Sequence, residues 1–240
     1  MVEMPNHDIS KNLADLKRHI QQLAVHAGRS PDEITLVAVS KTRTLDEVKQ
    51  AVEAGHMHFG ENTMQDALSK IPLLMGTDTQ WHFIGHLQSK KARYMPGNFH
   101  WIHSVDSLKL AQKLSHAMAN STTVSRLNCL IQVNVAKEAS KSGLNRSEVL
   151  PFIDQLLTLE LPHLSWRGLM AIGVQGDDSQ TRTAFAGLRD LCEQCQQEFV
   201  LADFNQLSMG MSSDYPIAIE EGSTMLRIGT AIFGRREEPG

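Results

Sequence analysis

The residue types with most chemical potential in this chain are a lysine, an arginine and two glycine-containing hydroxyl loops. The stretch TLVAVSKTRTLDEV, Thr35 to Val48, runs from an apolar segment into Ser40 and Lys41, and then into a polar turn that opens a helical pattern. A lysine delivered to the tip of a buried strand can be a solvated loop residue, a phosphate binder or a nucleophile. Partial burial strips hydration from the ammonium and lowers its pKa, and the neutral amine that results can attack a carbonyl. Near the other end of the chain, Ser208-Met209-Gly210-Met211-Ser212 and Arg227-Ile228-Gly229-Thr230 combine hydroxyls, glycines and incipient helix starts. Backbone N–H groups at a helix start suit a phosphate dianion, and glycine lets the backbone approach it closely. A lysine facing such a phosphate site points to an aldehyde bearing a phosphate. Pyridoxal 5′-phosphate and a sugar-phosphate aldol substrate both satisfy that description. Arg227, inside the apolar run Met225-Leu226-Arg227-Ile228, is either a buried cation paired with Glu220 or Glu221, or a fixed donor aimed at a ligand. Against a pyridine nitrogen it would keep that nitrogen unprotonated and weaken the ring as an electron sink.

These residues must be positioned by regular elements. Ile9, Leu13, Leu16, Ile20 and Leu23 recur at steps of three and four, which predicts an amphipathic helix before the first strand. Strand-like and helix-like segments then alternate. Strands are expected at 34–40, 57–61, 81–85, 101–105, 127–135, 164–172, 204–210 and 224–230. Helices are expected at 45–55, from about 62 to Leu74, after the third and fourth strands, at 147–159, at 178–199 and near 214–221. Thr44 with Glu47 three residues on has the form of a capping box, and Gly55 that of a helix stop. Eight apolar strands separated by helices are the pattern of a parallel sheet buried on both faces. In this length they favour one α/β domain, a single (β/α)8 TIM barrel over residues 1–240 with an extra N-terminal helix. In that fold, function gathers at the C-terminal strand ends. There the reading places Lys41, Asn62, His86, Asn134, Ser208 and the Arg227–Thr230 loop.

Composition excludes several classes. The chain has 240 residues, 41% hydrophobic and 21% charged, with a formal net charge of -4, so nucleic-acid binding is not expected. No window has the apolar length of a membrane span, and no signal peptide is apparent. Three cysteines, an odd number, fit a reducing compartment rather than a disulfide scaffold, and a cytoplasmic location is expected. The Cys192–Cys195 pair lies inside the predicted long helix, where no helix N-terminus lowers a thiol pKa, and zinc would need further ligands, so no metal site is expected. His56 and His58 open a strand on the stability face and read as structural. Lys90, Lys91 and Arg93 read as a solvated face, Lys137 and Lys141 as loop lysines, and Met209 and Met211 as packing.

The segments LVAVSKTRTLDEVKQAVEAGHMHFGEN, WHFIGHLQSKKAR, GLMAIG and LSMGMSSDYPIAIEEGSTMLRIGTAIFGRR resemble the pyridoxal phosphate homeostasis protein family, relatives of the N-terminal barrel of alanine racemase. The resemblance spans about residues 8–236. It implies that Lys41 carries pyridoxal 5′-phosphate as a Schiff base, that Arg227 meets the pyridine nitrogen, and that Ser208, Gly229 and Thr230 lie at the phosphate. Asn62 and His86 are implied as pocket residues. One departure is Lys90, where the family usually has asparagine. The resemblance also implies a buffer or carrier of the cofactor, with apo-enzymes as recipients and no assigned reaction. The alternative is a pyridoxal phosphate-dependent racemase or lyase. Racemisation needs two acid–base groups on opposite faces of the substrate carbon. In alanine racemase-like enzymes the second is a tyrosine from a separate domain. Tyr94 and Tyr215 are the only tyrosines here, and neither is expected to face Lys41. No catalytic residue is therefore assigned, and a closed barrel of this kind is expected to stand as a monomer.

Overall fold

The structure is a computed structural model, and it describes residues 8–119, 121, 126–135, 142–174 and 176–234. Lys137 and Lys141 lie outside the described residues. Helix α1 (Ile9–His26) forms where the apolar stripe predicts it: Ile9, Leu13, Leu16, Ile20 and Ala24 are buried, and the Asp8 side chain caps its first turn. A βα series follows: β1 (Thr35–Val39), α2 (Leu45–Glu53), β2 (His58–Glu61), α3 (Met64–Lys70), β3 (Gln80–Phe83), β4 (Trp101–Val105), α4 (Leu108–Met118), β5 (Leu127–Gln132) and α5 (Val149–Thr158). It continues through β6 (Leu164–Met170), α6 (Asp178–Phe199), β7 (Gln206–Ser208), α7 (Tyr215–Glu220), β8 (Met225–Ile228) and α8 (Thr230–Phe233). The strands are parallel and close in sequence order, with β8 paired back to β1. This is the expected (β/α)8 barrel with its extra N-terminal helix.

Local sequence explains why helices begin where they do. Thr44, Thr63, Ser107 and Asp177 each cap the helix that follows a strand by accepting from a first-turn N–H, and Thr44 with Glu47 completes the capping box. Gly55 takes φ +74°, and ends α2 as expected. Differences from the sequence reading lie at boundaries. The helix after β2 stops at Lys70, and Ile71–Leu74, carrying Pro72, tightens into a 3-10 turn. After β3 the helical run is the 3-10 helix Ser89–Tyr94. Strand β5 ends at Gln132, beyond which Val133 keeps one bridge to Leu144.

Side-chain alternation along the strands divides the molecule into two compartments. Leu36, Ala38, Phe59, Trp81, Phe83, Ile102, Cys129, Ile131, Leu169, Leu207, Leu226 and Ile228 join the helix stripes in one continuous apolar layer outside the barrel. The opposite parity points inward, where Leu130, Met170 and Met225 form a small separate cluster with Trp101 and Ile172. The rest of the buried inward positions include polar groups: His82, His103, Ser208 and Arg227. A parallel barrel filled this way has a polar column along its axis, and that column leads to the mouth.

Candidate functional site

At the C-terminal end of β1, Val37 and Val39 have inward parity, whereas Leu36 and Ala38 pack in the outer layer. Lys41 lies two residues past Val39, in the turn that leaves β1 at the mouth of the barrel. Lys41 is half-buried. Its neighbours on both sides are tied down. The Ser40 carbonyl accepts from Lys70 Nζ at 2.7 Å, and the Thr42 N–H donates to Asp66 Oδ2 at 2.7 Å. Lys70 Nζ also donates to Glu61 Oε1 at 2.8 Å and pairs with Asp66 Oδ1 at 2.9 Å, while Ser40 Oγ donates to Glu61 Oε1 at 2.7 Å. Thr42 sits at φ +63°, a backbone state rarely held by a β-branched residue, within this clamp.

The clamp lies behind the strand wall. Glu61 is fully buried and Lys70 almost so. Burial raises the Glu61 carboxyl to about 7, against the opposing hydrogen bonds from Lys70 and Ser40. For Asp66, burial works upward but is outweighed by the bonds from Lys70 and the Thr42 N–H, and its pKa is lowered. The sequence reading missed Glu61, Asp66 and Lys70. A signal existed, because Lys70 continues the buried stripe of Met64 and Ala67, where an unpaired lysine is too costly to place.

On the neighbouring strand β8, Arg227 has inward parity and pairs in register with Val37 of β1. Its Nη1 donates to Ser208 Oγ at 2.6 Å and its Nη2 to the Ala171 carbonyl at 2.8 Å. Burial lowers its pKa to about 10, with the Asp214 charge opposing, so it remains a cation at neutral pH. Glu220 and Glu221, weighed as its partners, instead bind Arg182, and Glu221 also binds Arg189. Ser208 is fully buried and bonds to Arg227 and to His103 Nδ1, the latter at 2.8 Å. It is thus drawn to the guanidinium in the barrel interior. Gly229 ends β8 against β1, where a Cβ would stand 3.0 Å from the Val39 carbonyl oxygen. Thr230 is exposed and opens α8, a four-residue helix whose first N–H groups have no intrahelical partner.

Asn62 and His86 meet at the mouth. They line a 260 Å³ cleft with Gly85, Gln132, Asn134 and Ile172. Gly85 is required there, since a Cβ would fall 2.0 Å from the Asn62 carbonyl oxygen. Lys41, Ser208, Arg227, Gly229 and Thr230 are not among that cleft's lining residues. Tyr215 Oη lies 2.6 Å from His19 Nδ1 on α1, and Tyr94 Oη accepts from Arg93. Lys90, Arg93, Lys109 and Lys113 line a separate 960 Å³ cleft beside α4. Cys192 and Cys195 are buried in α6, and the Cys192 thiol donates to the Phe204 carbonyl. Among the described residues, no group of three His, Cys, Asp or Glu side chains is arranged to hold a metal ion. No described helix is long and apolar enough to cross a membrane.

The sequence and the closed parallel barrel that it builds match a known family. Residues 12–237 match the model of the alanine racemase N-terminal domain. The chain is 44% identical over 234 residues to the pyridoxal phosphate homeostasis protein of Pseudomonas aeruginosa, covering 95% of this chain and 96% of the relative. It is 41% identical over 232 residues to that of Pasteurella multocida, covering 95% and 98%. PipY of Synechococcus elongatus, solved with PLP bound, superposes with TM-score 0.81 at 35% identity, over 94% of this chain and all of that one. An alanine racemase from Clostridium difficile shares the fold, with TM-score 0.72 at 14% identity, over 99% of this chain and 61% of that one. The chain therefore belongs to the alanine racemase N-terminal domain family. Within it, the chain is a member of the pyridoxal phosphate homeostasis protein family.

Proposed function

We propose that this chain binds pyridoxal 5′-phosphate and serves intracellular cofactor homeostasis, holding the group through Lys41 and releasing it rather than turning over a substrate. The observation that carries the reading is the Lys41 turn. The backbone on either side of Lys41 is fixed by Lys70 and Asp66 at the mouth of a barrel that also holds a buried guanidinium. The solved PipY–PLP complex, at 35% identity, supports it.

The donor set fits the group. Lys41 Nζ supplies an amine for a Schiff base with the aldehyde. Arg227, a cation held by Ser208 and Ala171, is a donor that does not give up its proton, suited to an unprotonated ring nitrogen. The Gly229–Thr230 helix start, with its N–H groups and hydroxyl, suits the phosphate, and Ser208 anchors the arginine beside it. Asn62 and His86 supply polar contacts at the mouth. When bound, the cofactor supplies an electrophilic carbonyl and a conjugated ring that withdraws electrons. Lys41 must then be deprotonated to hold it, and the remaining residues bind and orient.

The racemase reading needs a second proton-transfer group opposite Lys41. Both tyrosine hydroxyls are engaged elsewhere, by His19 and Arg93, and this favours the carrier. Delivery to apo-enzymes, a cytoplasmic location and a monomeric state complete the proposal. A borohydride-treated sample of the protein with pyridoxal 5′-phosphate is expected to carry a reduced pyridoxyl group on the Lys41 peptide, absent in Lys41→Ala. A protein that takes up no cofactor sinks the reading. Rapid exchange of amino-acid α-protons in deuterated water sinks the carrier half alone.

A further inference from the structure

Holding a cofactor at the mouth does not require a line of imidazoles down the barrel axis, yet one is present. His58 Nδ1 lies 3.1 Å from His82 Nε2, His82 Nδ1 lies 3.0 Å from His103 Nε2, and His103 Nδ1 lies 2.8 Å from Ser208 Oγ. Arg227 Nη1 closes the line at 2.6 Å from the same Ser208 Oγ. His82, His103 and Ser208 have no exposed surface, while His58 opens β2 at the floor and is half-buried.

Every ring-to-ring link joins Nδ1 of one imidazole to Nε2 of the next. A neutral imidazole has one donor and one acceptor. The three rings must therefore share a sense, either all Nδ1–H pointing towards Ser208 or all Nε2–H pointing away from it. A second proton on any buried ring is disfavoured from all sides. Burial lowers His82 and His103 far below the ordinary imidazole range, and the charges that face them work the same way. Those groups are His56 and His58 from β2 and the turn before it, His100 before β4, and the Arg227 cation on β8. Lys17 on α1 adds to this at His56, while Asp214, of opposite sign, acts on Arg227.

Ser208 decides between the two senses. Arginine can only donate, so Ser208 Oγ accepts at that contact. Its own buried hydrogen then needs an acceptor, and His103 Nδ1 is the one in reach among the described residues. Donation must run from Arg227 to Ser208 to His103 to His82 to His58. Each bond polarises the next, so the chain is stronger in one sense than its links taken singly.

We propose that Ser208, His103, His82 and His58 form a directional hydrogen-bond relay, with all three imidazoles as Nε2–H tautomers, that positions the Arg227 guanidinium and couples it to the floor of the barrel. The tautomer order stands without any ligand, and the coupling to ligand rests on the reading of Arg227 given above. These are positioning residues, acting on the pocket through Arg227.

The test is long-range proton–nitrogen correlation on the full chain with nitrogen-15 histidine. At pH 7 His58, His82 and His103 are expected as Nε2–H tautomers, with scalar coupling from His103 Nε2 to His82 Nδ1 and from His82 Nε2 to His58 Nδ1. Ser208→Ala, a small change that keeps the fold, is expected to move the His82 and His103 nitrogens towards the tautomer average. His58→Ala, which cuts the far end, is expected to leave both as Nε2–H. A wild-type ring found as Nδ1–H or as imidazolium overturns the proposal, as does indifference to Ser208→Ala. Pyridoxal 5′-phosphate is then added and its uptake followed by absorbance. Saturation is expected to shift the His103 and His82 nitrogens, and bound cofactor that leaves them unmoved refutes the coupling. Absence of uptake overturns the pocket reading instead, with the relay decided by the ligand-free spectra.

Discussion

Acid should weaken this fold through its buried imidazoles, and one buried carboxyl should mask part of the loss. His56 is 4% exposed, and burial, with Lys17 adding to it, lowers its pKa from 6.5 to about 4. A histidine depressed in the folded state supports the fold above its unfolded pKa and loses that support as pH falls. Between pH 7.5 and 5.5 the unfolded ring takes up about one proton that the folded ring refuses, which costs about 1.4 kcal/mol. Each further ring that stays neutral down to pH 5.5 adds the same amount, and His82 and His103, fully buried and lowered well below 6.5, qualify. The three together cost about 4 kcal/mol. Glu61 runs the other way. Its folded pKa is raised from 4.5 to about 7, so its support for the fold is present at low pH and is lost as pH rises through 7. Over the same interval it returns about 1.8 kcal/mol. The net fall from pH 7.5 to 5.5 is about 2 kcal/mol, with His58 and His100, also lowered, adding to the loss. Urea denaturation at the two pH values measures it. Glu61→Gln removes the compensating titration but keeps an oxygen for Ser40 and Lys70, so in that variant the fall should grow to about 4 kcal/mol. A wild type as stable at pH 5.5 as at 7.5, or a Glu61→Gln variant with an unchanged pH dependence, refutes the reasoning.

Lys70→Met strands Glu61 without its cation and should lower stability by about 3–5 kcal/mol at pH 8, less at pH 6 where the carboxyl can protonate; denaturant midpoints at the two pH values check this. Adding Glu61→Gln to Lys70→Met should cost less than the two single changes summed, because no buried charge is left unpaired. Burial pushes the Cys192 thiol up to about 12 and Cys195 up to about 11. A thiol reagent at pH 8 should therefore label both only after denaturation, and rapid labelling of the folded protein would show a redox-competent pair. Gly210 sits at φ +96° with a Cβ position 2.6 Å from Ala218 Cβ, so Gly210→Ala should lower the thermal midpoint and, by displacing the loop after β7, weaken cofactor uptake.

Much of the fold was legible because its signals are local. The helix over Asp178–Phe199 agrees with its expected bounds because a long amphipathic stripe and the Asp177 cap fix both periodicity and start. Strand ends were less legible, since Gln206–Ser208 and Met225–Ile228 are only the parts of longer apolar runs that find ladder partners. Which residues of an apolar run pair depends on neighbouring strands distant in sequence. Lys41 and Arg227 could be singled out because each is a charged group at an apolar strand, a conflict visible in the sequence.

The histidines show where that kind of reading stops. His58 opens β2, as expected, while His56 lies two residues before it, and each taken singly is a polar residue at the barrel floor. The order of His58, His82 and His103 becomes apparent only once the barrel sets β2, β3 and β4 side by side and parity turns all three inward. A period of two along a strand is readable in one segment, whereas a stagger between strands is a property of closure. The same closure brings Ser208 of β7 across to His103 of β4, 105 positions away in the chain. The tilt needed to close eight parallel strands thus threads a polar line diagonally through the interior, from the floor to the arginine. If that line were only a way of satisfying polar side chains, apolar residues at 58, 82 and 103 would pack the axis at lower desolvation cost. Two fully buried imidazoles and the half-buried His58, staggered in one line that ends on the hydroxyl bonded to Arg227, are better explained by the direction they impose on that contact.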